Sequence, residues 1–311
     1  MKTTYFERAI FLSWYCSKAD CKFCYMSTQK SLIKDPKRAR RTKESILAEA
    51  LLCRQLGWKI EFLSGGYESY TKEELLFLIR NIKKIYGKKL WLNIGVLNEE
   101  ELRLFNPYIE GVCGAVECIN PKIRKEICPS KPLKEIEDMF MICNKLKLKK
   151  AITIILGVGE TTDDFEPLKK FIKKHNINKI TFYRLKPQKN TIFEKIKPIK
   201  TGYYVKWIKK TRKAFSKIHI TVGSWLAHLD EIHLLLEAGA DSITKFPSIK
   251  LFNSKYAKKI ENEAKKAHRK FIGTLTKKPE INAKIINNLR IGNSLKSRIR
   301  KKLVSYVKNL A

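Results

Sequence analysis

Eight short runs rich in β-branched and aromatic residues alternate with longer amphipathic stretches, and this alternation constrains the fold more than any other feature of the chain. The runs are AIFLSW (Ala9 to Trp14), IEFLS (Ile60 to Ser64), LWLNIGV (Leu90 to Val96) and GVCGAVEC (Gly111 to Cys118). AITIILG (Ala151 to Gly157), KITFYRL (Lys179 to Leu185), IHITVGS (Ile218 to Ser224) and DSITKF (Asp241 to Phe246) follow. Strands separated by helical segments imply parallel pairing through crossover helices. Eight of them fit a closed barrel better than an open sheet, so the expected fold is α/β, a parallel (β/α)8 TIM-type barrel. The length of 311 residues agrees, since such a barrel takes roughly 250 and leaves room for an appendage.

Helix boundaries are written in the same segments. TKEELLFLIRNIKKIYG opens on Thr71, carries acids in its first turn and stops at Gly87; TTDDFEPLKKFIKKH also begins on a capping threonine followed by acids. Strand signals cease after Ile272, which divides the chain into a barrel domain, 1–272, and a basic helical C-terminal extension, 273–311. In that extension Leu295, Ile299, Leu303 and Val307 fall four residues apart on one helical face, with Arg298, Arg300, Lys301 and Lys302 around the remainder. The stripe is expected to pack on the barrel and the charges to face solvent, with an RNA or partner contact as the alternative.

The chain has 65 Lys and Arg against 30 Asp and Glu, a formal charge of +35. That balance suits an acidic partner such as RNA or an anionic cofactor, although the lysines are scattered through nearly every helix instead of forming one block. The opening MKTTYFERAIFLSWYC has too short an apolar run for a signal peptide, and no stretch reaches the ~18 apolar residues of a membrane span. A cytoplasmic location away from membranes is expected. There thiols stay reduced, and clustered ones bind metal or do chemistry. Cys53, Cys113, Cys118, Cys128 and Cys143 are dispersed in apolar segments and read as buried thiols.

Cys16, Cys21 and Cys24 are clustered, in CSKADCKFCY. Three thiolates can each cap one iron of a cubane and leave the fourth iron open. Structural zinc is the competing reading; it wants four protein ligands, and no second CxxC or HxxxH accompanies the loop, though Cys113 or Cys118 could complete such a site. At these residues the sequence resembles the radical S-adenosylmethionine superfamily, whose three-cysteine loop follows the first barrel strand and has an aromatic before the third cysteine, here Phe23. Four residues separate Cys16 from Cys21, where the usual pattern has three.

Later strand ends extend the resemblance. LSGGYES looks like the segment that binds the methionine amino group, which implicates Gly65 and Gly66 and, one place beyond the usual acid, Glu68. Glu117 closes AVE at the position of the polar residue that meets the ribose or methionine end of the cofactor, and Gly157 in IILGVGE resembles the wall beside adenine. The match spans approximately Ala9 to Phe246 and points to the biotin-synthase-like branch. It implies a [4Fe-4S] cluster on Cys16, Cys21 and Cys24, S-adenosylmethionine bound by Phe23, Gly65, Gly66, Glu68, Glu117 and Gly157, and a 5'-deoxyadenosyl radical that abstracts hydrogen from a substrate. An electron donor such as a ferredoxin or flavodoxin follows from that chemistry.

Asn93, Tyr183, Arg184 and Lys245, near strand ends, are candidates for facing the substrate. A small molecule in cofactor or small-molecule biosynthesis is the favoured substrate. Radical modification of RNA or of a carrier protein is the alternative, and a non-enzymatic metal-containing nucleic-acid-binding protein is the third reading. No ligand set for a second cluster can be assigned among the remaining cysteines.

Overall fold

A computed structural model describes residues 1–308 and 310; the last positions of the expected extension, Asn309 and Ala311, lie outside the described residues. The strands are β1 (Thr3–Tyr5), β2 (Glu7–Phe11), β3 (Lys59–Ser64), β4 (Leu90–Asn93) and β5 (Ile109–Glu117), then β6 (Lys149–Leu156), β7 (Lys179–Arg184), β8 (His219–Gly223), β9 (Ser242–Thr244) and β10 (Lys270–Ile272). β2 to β9 form one parallel sheet of eight strands in sequence order. A parallel bridge between Phe6 and Ile243 brings its two ends together into a barrel. These are the eight strands expected from the sequence, and the fold is the TIM-type barrel.

The physical reason is visible in the burial. β6 is buried from Lys150 to Leu156 and β7 at every residue but Tyr183, as strands covered on both faces must be. Helices supply the outer cover. Lys72–Tyr86 begins with a reciprocal capping box between Thr71 and Glu74 and ends on Gly87 at φ 83°, a left-handed conformation that glycine adopts freely. Thr161 makes the same box with Asp164 ahead of the helix Phe165–His175.

β1 and β10 pair with each other outside the barrel sheet; neither is among the eight runs expected from the sequence. In the terminal helix Asn293–Lys308, Ile299 and Leu303 are buried, with Leu295 and Val307 half-buried beside them. Arg298, Arg300 and Lys301 are exposed and Lys302 is half-buried. The apolar stripe packs in the core together with the first crossover helix, Lys43–Gln55, and Arg41 ties the two by donating to the Tyr306 hydroxyl at 3.0 Å. Among the described residues no helix is long and apolar enough to cross a membrane.

Candidate active site

The C-terminal ends of the barrel strands open into a cavity of about 280 Å³. Cys16, Cys21 and Cys24 all line it, together with Phe23, Gly65, Gly66, Asn93, Glu117, Tyr183 and Lys245. Loops at this end of a barrel are free to carry chemistry because the strands below are already fixed by packing.

The cysteine loop is clamped from several sides. Leu12 continues the β3 ladder by donating to Ser64 O at 2.8 Å. Ser17 N donates to Tyr67 O at 3.1 Å, and Lys22 N to Ile127 O at 2.9 Å. Asp20 accepts from Ser130 N at 3.1 Å, and Lys18 reaches Ser130 O and Glu135. Cys24 is the N-cap of the short helix Tyr25–Gln29. Ala19 is held at φ 34°, a backbone region uncommon for a residue with a Cβ.

Electrostatics differ along the loop. A hydrogen bond with buried Cys128 does most to lower the Cys21 thiol to about 7, against burial, and the Lys131 ammonium acts in the same direction. Burial pushes Cys24 up to about 11. Lys131 also lies 5.5 Å from the centre of the Tyr67 ring, with Lys18 at 4.5 Å from that ring.

The glycine pair has two separate jobs. A Cβ at Gly66 would fall 2.3 Å from Tyr15 O and 2.4 Å from Cys16 Cβ, so this glycine lets the cysteine loop lie against the end of β3. At Gly65 the nearest atom would be Ser69 Oγ at 3.4 Å, an ordinary contact. Tyr67, not Glu68, enters the wall; Glu68 is exposed, turned out at φ 53°, and does not line the cavity. Gly95 makes room for the Tyr67 ring, which a Cβ there would meet at 3.0 Å. Gly157 also falls outside the lining. It sits behind Leu185 and Ile199, with its N–H donating to Glu160, so the wall on that side is Ile155 and Leu185.

Glu117 ends β5 with φ 59° and accepts from Thr153 at 3.0 Å, while Lys245, just past β9, has φ 69°. Strained residues of this kind concentrate where a side chain must be aimed. Burial pushes the Glu117 carboxyl above its usual range, with Lys131 pulling the other way. Lys245 stands 4.4 Å from the centre of the Tyr183 ring, whose hydroxyl donates to buried Glu61 at 2.7 Å; Thr244 donates to the other Glu61 oxygen. Arg184 borders the cavity, but its guanidinium donates to Ile199 O and pairs with buried Glu231. Its guanidinium is therefore committed within the protein, whereas Asn93, Tyr183 and Lys245 line the cavity and form no ion pair with a carboxylate among the described residues.

Sequence reasoning missed Tyr67, Lys131 and Glu61. The lysine lies in a loop between two helices, where one charge among 65 basic residues carries no signal. Glu61 was legible as an acid inside an apolar run, IEFLS, where an unpaired carboxylate is costly.

Among the described residues no group of three or more His, Cys, Asp and Glu side chains is placed to hold a single metal ion. A cubane makes no such demand, because each thiolate meets a different iron. The donor set in the cavity, three cysteines beside a lysine and two glycines, fits such a group.

A parallel barrel with three cysteines at its C-terminal mouth defines a class of iron–sulfur enzyme, and the comparisons identify it. The Radical SAM superfamily profile matches residues 15–172, and the chain belongs to this superfamily. It is 42% identical to an uncharacterized protein of Methanocaldococcus jannaschii over 98% of this chain and 89% of that one. It is also 27% identical to biotin synthase of Thermodesulfovibrio yellowstonii, over 60% of this chain and 59% of the relative. The methylornithine synthase structure shares the fold at a TM-score of 0.66 and 17% identity, over 78% of this chain and 71% of that chain. The chain is thus a radical S-adenosylmethionine enzyme of the biotin-synthase-like branch, and its family implies an iron–sulfur cluster and S-adenosylmethionine.

Proposed function

We propose that Cys16, Cys21 and Cys24 hold a [4Fe-4S] cluster and that the enzyme acts on a small anionic molecule. The observation that carries this reading is the meeting of all three cysteines, the Gly65–Gly66 turn and two lysines, Lys131 and Lys245, that form no ion pair with a carboxylate among the described residues, around one cavity. When bound there, the cluster and S-adenosylmethionine supply a 5'-deoxyadenosyl radical for hydrogen abstraction.

The chain's own groups divide the remaining work. Gly65 leaves its peptide open to the methionine end of the cofactor, and Gly66 sets the position of Cys16. Glu117, fixed by Thr153, accepts from cofactor hydroxyl or ammonium groups. Lys131 stands beside the cysteine loop and offsets negative charge there. Across the cavity, Lys245 and Asn93 anchor a carboxylate or phosphate of the substrate, while Phe23, Leu185 and Trp225 exclude water. An acidic one-electron donor of the ferredoxin or flavodoxin kind docks at the basic surface.

Anaerobic reconstitution followed by a screen of carboxylate- and phosphate-bearing metabolites tests the substrate class. Lys245→Met should raise KM for the true substrate at least tenfold while leaving substrate-free cofactor cleavage intact. Equal KM in both proteins would reject Lys245 as the anchor.

A further inference from the structure

The opposite, N-terminal face of the barrel holds a second cavity, of about 300 Å³. In a barrel of this kind that face is ordinarily packed shut and contributes stability alone. Here the residues that begin the strands leave an opening lined by five lysines and two glutamates, with aromatic walls from Tyr5, Tyr86 and Trp91.

The two acids are already committed. Glu7, fully buried, pairs with Lys179 and accepts from His219 at 2.8 Å. Glu110 pairs with Lys149 at 2.7 Å. That leaves Lys59, Lys88 and Lys89, none of which pairs with a carboxylate among the described residues. Lys59 lies 3.3 Å from the centre of the Tyr5 ring, and Lys89 donates only to the Asn106 carbonyl, at 3.3 Å. Burial holds the Lys59 ammonium below its ordinary range against the pull of Glu7, and Lys88 and Lys179 add repulsion. Five lysines against two glutamates around one partly enclosed space leave a net positive potential in it.

We infer that this cavity is a binding site for a compact phosphate- or diphosphate-bearing anion, held by Lys59, Lys88 and Lys89 and flanked by Trp91. A lysine ammonium is a point charge that suits phosphate oxygens from several directions. The volume lies at the lower limit of small-molecule sites, ~300 Å³, which limits the ligand to a small body. The site lies on the face away from the cysteine loop, and its occupancy is independent of the radical chemistry.

Calorimetric titration of the full chain with inorganic diphosphate, followed also by tryptophan emission, tests the inference without any cluster. Saturable binding to one site is expected. Lys88→Gln/Lys89→Gln, both at exposed positions, should weaken it at least tenfold, and Lys59→Gln should do the same. Arg300→Gln/Lys301→Gln on the terminal helix should leave affinity unchanged. Inorganic phosphate and adenosine diphosphate separate the sources: a tenfold gain for the nucleotide that Trp91→Ala removes indicates an organic phosphate, and equal affinities indicate the free anion. Unsaturable binding, or equal weakening by the terminal-helix variant, would overturn the site, since either result means diffuse attraction to a basic protein.

Discussion

Gly66 makes a claim that a single methyl group can test. Its Cβ would occupy the space of Tyr15 O and Cys16 Cβ, at 2.3 and 2.4 Å, so Gly66→Ala must displace the first cysteine of the loop. The expected outcome is loss of most iron and sulfide after anaerobic reconstitution, measured by elemental analysis, whereas Gly65→Ala retains both because its nearest contact is 3.4 Å. Equal retention in the two variants would remove the positioning role. The glycines were legible in the sequence as a site of close approach, but what approaches Gly66 was not: it is the protein's own loop. Likewise GGYES does not reveal that Tyr67 fills the wall and that Glu68 turns outward at φ 53°, because one residue's backbone angle decides which side chain faces in. The clustering of Cys16, Cys21 and Cys24 was legible because it is local in sequence, and all three line one cavity; the 2.7 Å bond between Tyr183 and Glu61 was not, since it spans the barrel.

Among the elements, the loop after β7 depends on a buried pair. Arg184 and Glu231 have side chains only 1% and 4% exposed, so removing one partner strands the other without water. Arg184→Met should destabilise the fold by about 3–5 kcal/mol in chemical denaturation, and Arg184→Met/Glu231→Leu should recover most of the loss. A second ionic tie joins the first crossover helix to β2. Burial pushes the Glu49 carboxyl up, but Arg8 and Arg41 outweigh it and hold it below the usual range. Its stabilisation is therefore complete above the unfolded value of ~4.3 and is lost as pH falls through the lower folded value. Thermal midpoints should drop below about pH 4 in the parent protein and drop less in Glu49→Gln, which starts lower at neutral pH. β6 and β7 were the most legible barrel strands, being nearly continuous buried runs covered on both faces; β2 and β4 alternate buried and half-buried positions and were read from their place between helical segments. β1 and β10 were not, being three residues each with partners at opposite ends of the chain.

For the whole molecule, the formal charge of +35 makes the proposed encounter with an acidic electron donor testable by salt. Reduction by an acidic flavodoxin should slow steeply between low salt and about 0.15 M, where the screening length is ~8 Å, as followed by stopped-flow absorbance. A rate indifferent to salt would mean that the donor does not use the basic surface. The barrel, the three cysteines at its mouth and the superfamily match support the proposed reductive cleavage of S-adenosylmethionine. The most direct measurement is 5'-deoxyadenosine formed by the anaerobically reconstituted 311-residue chain with dithionite, set beside iron content in the parent and in Cys16→Ala/Cys21→Ala/Cys24→Ala. The expected result is about four irons per chain and steady 5'-deoxyadenosine in the parent, with both abolished in the triple variant. A triple variant that keeps its iron, or a fully loaded parent that forms no 5'-deoxyadenosine, would contradict the assignment.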